Sequence, residues 1–162
     1  MTDHLAPVIR PFLQASAAAL ALLASTVAQA DRNPLVPLLP MYQQECASCH
    51  IAFAPGMLPA ASWQRLMANL PKHFGSDASL DAATTKALTT WLNANAGTYK
   101  RVAADPPPAD RISRSTWFTR KHVEVEAAVW KRPTIQSATN CAACHPQAAM
   151  GDFNEHSIRI PR

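Results

Sequence analysis

One five-residue pattern constrains this chain more than any other feature, and it occurs twice: Cys46-Ala47-Ser48-Cys49-His50 and Cys141-Ala142-Ala143-Cys144-His145. Two cysteines three positions apart lie on one face of a helical turn, where each thiol can add to a vinyl group of a single porphyrin. The histidine four positions after the first cysteine projects from the same face and can ligate the iron of that group. The pattern therefore implies two covalently attached haem c groups. Cys46 and Cys49 would carry one, Cys141 and Cys144 the other, with His50 and His145 as proximal ligands.

Other uses of paired cysteines fit less well. Zinc ribbons place their two pairs about 15 to 20 residues apart, whereas Cys46 and Cys141 are 95 positions apart. A thioredoxin-like dithiol needs a single pair beside a strand-helix-strand pattern. This chain has two pairs, each followed by histidine, and almost no strand signal.

Residues 1–30 read as an export signal. A weakly cationic start with His4 and Arg10 precedes an Ala- and Leu-rich run from Phe12 to Val27, and Ala28-Gln29-Ala30 offers small residues for cleavage before Asp31. Gln14, Ser16 and Ser25 interrupt the run, which is short for a membrane span. This predicts a periplasmic protein, cleaved after about Ala30, with no stable membrane insertion. All four cysteines belong to the two motifs, so none remains for a structural disulfide, and haem rather than cystine must supplement the core. The formal charge of +4 survives cleavage, because Arg10 and Asp3 leave together. A mild positive balance suits steering toward an acidic redox partner. Without a basic run interleaved with aromatics, it gives no reason to expect nucleic-acid binding.

The spacing predicts a mostly α fold of two small cytochrome-c-like lobes, 31–102 and 111–162, joined by a Pro-rich linker, 103–110, that contains Pro106-Pro107-Pro108. Prolines 34, 37 and 40 delay the first helix to about Met41, and it should run through the first motif. Pro59 suits a first helical turn, and Trp63, Leu66, Met67 and Leu70 then recur at helical steps. Ser79 is the expected N-cap of the next helix, with Asp81 in its first turn, a buried stripe through Leu88, Trp91 and Leu92, and Gly97 as its C-terminal glycine. Ser113 or Ser115 should cap a helix carrying Trp117, Phe118 and His122. Residues 123–126 fit either alternation or a helix, Ser137 or Thr139 should cap the helix of the second motif, and the tail from Met150 is expected to be irregular.

The second face of each iron decides between electron transfer and chemistry at the metal. Apart from the leader and the proximal positions, the histidines are His73, His122 and His156, with Met41, Met57, Met67 and Met150 as sulfur candidates. His73 lies 23 positions after His50, and His122 lies 23 positions before His145, which favours one distal histidine per lobe. His156, 11 positions after His145, is the competitor for the second iron, across a tight loop. Met67 belongs to the apolar stripe, and Met57 is too near His50 to reach the far face easily.

The chain resembles the dihaem cytochrome c family of proteobacteria. The resemblance rests on Tyr42-Gln43-Gln44-Glu45 before the first motif and on Leu58 to Trp63 with Leu70 to Gly75. It continues through Arg111 to Phe118 with His122, and ends with Asn140 before the second motif and Ile158 to Pro161 after it. Thr116 departs from the proline expected before the Trp-Phe pair. The resemblance implies bis-histidine irons, His50 with His73 and His145 with His122. It also implies electron transfer to a small oxygen-binding monohaem cytochrome or to a membrane cytochrome. The expected product is a monomeric, low-potential electron carrier rather than an enzyme. A peroxidase or oxidase, or a haem-based sensor, would instead need one labile sixth ligand.

Overall fold

Among the described residues Pro40 begins the first regular element, α1 (Pro40–Cys46), at a helical position where its missing N–H removes no intrahelical bond. This computed structural model describes residues 36–99, 102, 104 and 106–162, so the expected leader and its cleavage site lie outside the described residues. From Val36 onward the described residues belong to one compact unit. Four further α-helices follow in it: α2 (Ala60–Ala68), α3 (Ala82–Asn95), α4 (Thr116–Lys121) and α5 (Ala127–Trp130). Single 3-10 turns connect them, and no strand occurs among the described residues beyond one isolated bridge between His73 and Ser76. The expected α class is what forms.

The apolar core gathers in the first half. α2 packs on α3 and buries Trp63 and Met67 against Leu88 and Leu92, both 0% exposed, with Tyr42, Ala52, Leu58 and Leu70 completing the cluster. Burying each leucine fully stabilises the fold by about 1.5–3 kcal/mol. The polar tips of the buried aromatics are satisfied: the Trp63 indole N–H donates to the Pro55 carbonyl at 2.8 Å, and the Tyr42 hydroxyl to the Phe53 carbonyl at 2.8 Å.

The second half is built differently. Its helices are short, its turns are single, and among its described residues only Phe118, Ile135 and Ala148 are buried apolar side chains. A segment with so little interior cannot hold its shape by side-chain burial alone. The chain joining the halves is pinned to the first. In the turn Pro108–Asp110, Ala109 and Asp110 adopt left-handed φ values of 55° and 54°. Asp110 accepts two hydrogen bonds from Arg65 of α2, at 2.9 and 2.6 Å, and Ile112 packs against the core.

Local structure departs from the sequence expectations where side-chain hydrogen bonds decide. Asp81 is the N-cap of α3, accepting from the Ala83 and Thr84 N–H groups at 2.9 Å each, while Ser79 is drawn instead to Asp77. Pro59 stands at the N-cap of α2 rather than in its first turn. Gly97 does follow the end of α3 with φ 63°, and its N–H donates to the Leu58 carbonyl at 2.8 Å, fastening that end to the entry of α2. Ser115 caps α4 through the Phe118 N–H. Thr116 takes the first position of that helix, where a proline would also fit, so the departure noted above costs no geometry.

Gly56 is buried where a Cβ would meet Thr98 Oγ1 and Tyr99 Cδ1 at 2.5 Å. Gly56→Ala is expected to cost about 1–3 kcal/mol, read as a lowered melting temperature. At α3, hydrogen bonding to Thr84 and then to the Ala83 N–H holds the Asp81 carboxyl below the usual carboxylate range. Its contribution is therefore fully present above the ordinary aspartate value of about 3.9 and is lost as the pH falls through the lower folded value. The urea midpoint of Asp81→Ala should lie below wild type at pH 7, and the gap should close in acid. Asp81→Asn, which keeps an acceptor, should stay close to wild type at pH 7.

Candidate haem centres

The two motifs are not on continuous helices. α1 ends at Cys46, its last bond running from the Ala47 N–H to the Gln43 carbonyl at 2.9 Å, and Ala47 to Cys49 form turns that deliver His50 to the surface. The second motif occupies the 3-10 turn Cys141–Ala143. The His145 N–H closes back on the Cys141 carbonyl at 2.8 Å, so His145 still returns over the first cysteine as its spacing predicts. Neither Ser137 nor Thr139 caps this turn. Their hydroxyls bond each other at 2.7 Å, and Asn140 reaches back to the Ile135 carbonyl at 3.1 Å.

His73 meets His50. The 3-10 turn Leu70–Lys72 ends at His73, and Phe74 (φ 51°) and Gly75 (φ 101°) fold the chain so that the Ser76 N–H donates to the His73 carbonyl at 3.0 Å. The His50 and His73 ring centroids are 6.1 Å apart, with planes inclined by 28°. Phe53 lies 5.0 Å from His50, and Phe74 stands edge-on 4.8 Å from His73.

His122 meets His145 at 6.2 Å, with planes inclined by 78°. His122 is the C-cap of α4. Phe118, one turn earlier, stacks on its ring at 4.0 Å, and Trp130 flanks it at 5.7 Å, while Phe153 stands 5.4 Å from His145. His156, the other histidine considered, is exposed in the turn Glu155–Ser157. Of the methionines, Met57 and Met67 are core, and Met41 and Met150 are exposed.

Both pairs fit a six-coordinate metal between the rings. A metal–imidazole bond of about 2.0–2.1 Å, plus roughly 1.1 Å from nitrogen to ring centre, puts two trans imidazole centroids ~6.3 Å apart. Within each pair one ring has its tautomer set by a carbonyl. His50 Nδ1 is 2.7 Å from the Ile51 carbonyl oxygen and His122 Nδ1 is 2.9 Å from that of Phe118, which leaves Nε2 as the nitrogen free to bind a metal. Burial, and then the facing histidine, lowers the pKa of both His73 and His145 and favours their neutral, ligating forms. Burial also pushes the Cys46 and Cys141 thiols up to about 11, and the Cys144 thiol up as well. Thioether formation removes those ionisable groups from an apolar setting. Among the described residues no three His, Cys, Asp or Glu side chains converge to hold a bare metal ion, so a zinc site has no support there.

A family model described as dihaem cytochrome c matches residues 42–153. The chain belongs to the dihaem cytochrome c family. Its fold is similar to that of a diheme cytochrome type c from Shewanella baltica OS155, at 33% identity and TM-score 0.68, covering 78% of this chain and 95% of that one. It is also similar to the diheme cytochrome c from Rhodobacter sphaeroides, at 42% identity and TM-score 0.65, covering 74% and 99%. A comparison with curated proteins returns no match. As a dihaem cytochrome c, the protein carries two covalently attached haem c groups and is an electron-transfer cytochrome with redox partners. No described helix is long and apolar enough to cross a membrane.

Some residues around the rings escaped the sequence reading. Phe118 could have been found, since it precedes His122 by one helical turn. Trp130 and Phe153 reach the second pair from elements with no local signal for it. Tyr42 acts through Phe53, whose carbonyl its hydroxyl holds and whose ring lies beside His50. Tyr42→Phe should cost about 1 kcal/mol in urea unfolding of the holoprotein, because it leaves a half-buried carbonyl without its donor.

Proposed function

We propose that the protein is a low-potential, bis-histidine electron carrier in which His50 and His73 ligate the first iron and His122 and His145 the second. The carrying observation is the pair of facing imidazoles 6.1 and 6.2 Å apart. Bound haem supplies a one-electron iron couple. The chain's part is to fill both axial positions of each iron, so that no position is left for peroxide or oxygen. It also does so without a thioether ligand, which would raise the potential. The Ile51 and Phe118 carbonyls fix the rings of His50 and His122, and Phe53, Phe118, Trp130 and Phe153 flank the pairs.

One further observation supports exchange between the haems. Ala52 and Ala54, just after the first motif, and Ala149 to Gly151, just after the second, line one cavity of about 240 Å³. The attachment segments therefore approach each other. On this reading the leader 1–30 directs a monomeric protein to the periplasm. Residues 31–102 and 111–162 act as haem lobes about the 103–110 linker. The partners are a small oxygen-binding monohaem cytochrome or a membrane cytochrome.

Absorption and low-temperature spin-resonance spectra of the purified holoprotein test this. Two fully low-spin haems that ignore carbon monoxide when reduced are expected. The near-parallel and near-perpendicular ring pairs should give distinguishable low-spin signals. A high-spin fraction or ready carbon monoxide binding would overturn the reading in favour of an open iron, as in a peroxidase or sensor. His122→Met should raise one midpoint potential and leave the other nearly fixed, and equal shifts in both would contradict separate ligand pairs.

A further inference from the structure

We propose that Asp110, the last residue of the linker, and Arg111, which follows it, are positioning residues for the first haem, forming a clamp that holds His73 in its place opposite His50. The inference rests on the reading of His73 as a ligand and adds what keeps it there.

His73 lacks the device that orients its counterpart in the other pair. His122 Nδ1 is anchored to the Phe118 carbonyl, but His73 Nδ1 is buried with no hydrogen-bond partner. A ligand ring without such an anchor must be oriented by packing. The packing comes from Phe74, edge-on to His73 at 4.8 Å. Phe74 is itself held in a left-handed conformation that a bulky residue rarely adopts, and it remains 44% exposed, so little of the core supports it. What covers it is the Arg111 guanidinium, 4.2 Å above the ring centroid. Arg111 is in turn delivered by Asp110, whose carboxylate takes both hydrogen bonds from Arg65 of α2. The path from the rigid helix to the ligand is thus Arg65, Asp110, Arg111, Phe74, His73. Strained backbone stands at both ends of it, at Ala109 and Asp110 on one side and at Phe74 on the other. Residues placed in strained conformations next to a ligand need surrounding contacts to keep them there, and the ion pair and the stack are the contacts present.

The clamp is tested on the purified holoprotein with Arg111→Leu, Arg111→Lys and Asp110→Asn. Asparagine tolerates the left-handed conformation of Asp110, so that variant removes the charge and keeps the turn. Arg111→Leu should leave one haem low-spin and loosen the other, which then shows a high-spin signal and takes up carbon monoxide when reduced, at about half of the total haem because one iron of two opens. Asp110→Asn should change the same haem in the same direction by less. Arg111→Lys, a cation without the planar face, should fall between wild type and Arg111→Leu. The unchanged signal of the second haem in each sample shows that the variant has folded. If wild type and all variants stay low-spin and inert to carbon monoxide with unmoved potentials, the clamp is wrong while the bis-histidine reading stands. If wild type itself binds carbon monoxide, that reading fails and takes the clamp with it. Equal loosening of both haems would also overturn the clamp, since it would mean general destabilisation.

Discussion

Two imidazoles that must face each other across a gap of about 6 Å set the terms for everything around them. Chain segments leave that gap open, because a flat group the size of a porphyrin has to occupy it. Each ring therefore stands at the end of a short element: His50 after α1 and its turns, His73 after a 3-10 turn, His122 at the C-cap of α4, and His145 just beyond the turn of its own motif. Element ends rather than element middles carry the site. Among the described residues the elements are accordingly short helices and single turns, and the longest helix there, α3, carries none of the four histidines and serves the core.

The covalent chemistry was the most legible part of the sequence, since two cysteines and a histidine at fixed spacing, occurring twice, leave few alternatives. The α2 and α3 stripes were legible for a similar reason: Trp63, Met67, Leu88 and Leu92 recur at helical steps, and they are buried. The choice of His122 over His156 rested on loop length, on the matching 23-residue spacings and on the family resemblance, and the structure brings His122 to His145. Less legible were features decided by a side chain choosing between nearby backbone groups. Ser79 and Asp81 are both good caps, and only the pairing of Ser79 with Asp77 settles which one serves α3. The helix expected through the first motif ends at Cys46, because no local pattern distinguishes a helical turn that continues from one that stops. The flanking aromatics of the second pair, gathered from Trp130 and Phe153, depend on tertiary placement that periodicity does not encode.

The two centres differ in how they are held. At the second, Phe118 does two jobs for His122, accepting the Nδ1 proton and stacking on the ring, all within one turn of α4. At the first, the anchored ring is His50, which belongs to the attachment motif, and the facing His73 depends on contacts brought from the inter-lobe segment. Each pair thus has one anchored ring, while His73 and His145, whose Nδ1 atoms are both buried without a partner, are held by packing, His73 with the help of Arg111 over Phe74 and His145 beside Phe153. Surface ion pairs such as Lys121 with Glu155 contribute little in comparison, being exposed to water and salt.

The sparse interior of the second half has a consequence for the unfolded chain as well as the folded one. On the proposed assignment of His122 to the iron of the porphyrin fixed to Cys141 and Cys144, the segment between them would be a closed loop, tied at one end by thioethers and at the other by coordination. Such a loop has fewer conformations to lose on folding, which is how a crosslink supports a domain too small to support itself. Unlike a disulfide, this crosslink has one end that can let go without a covalent bond being broken. On that assignment, the order of the region from Lys121 to Cys141 would draw on an iron–nitrogen bond as well as on the burial of Ile135.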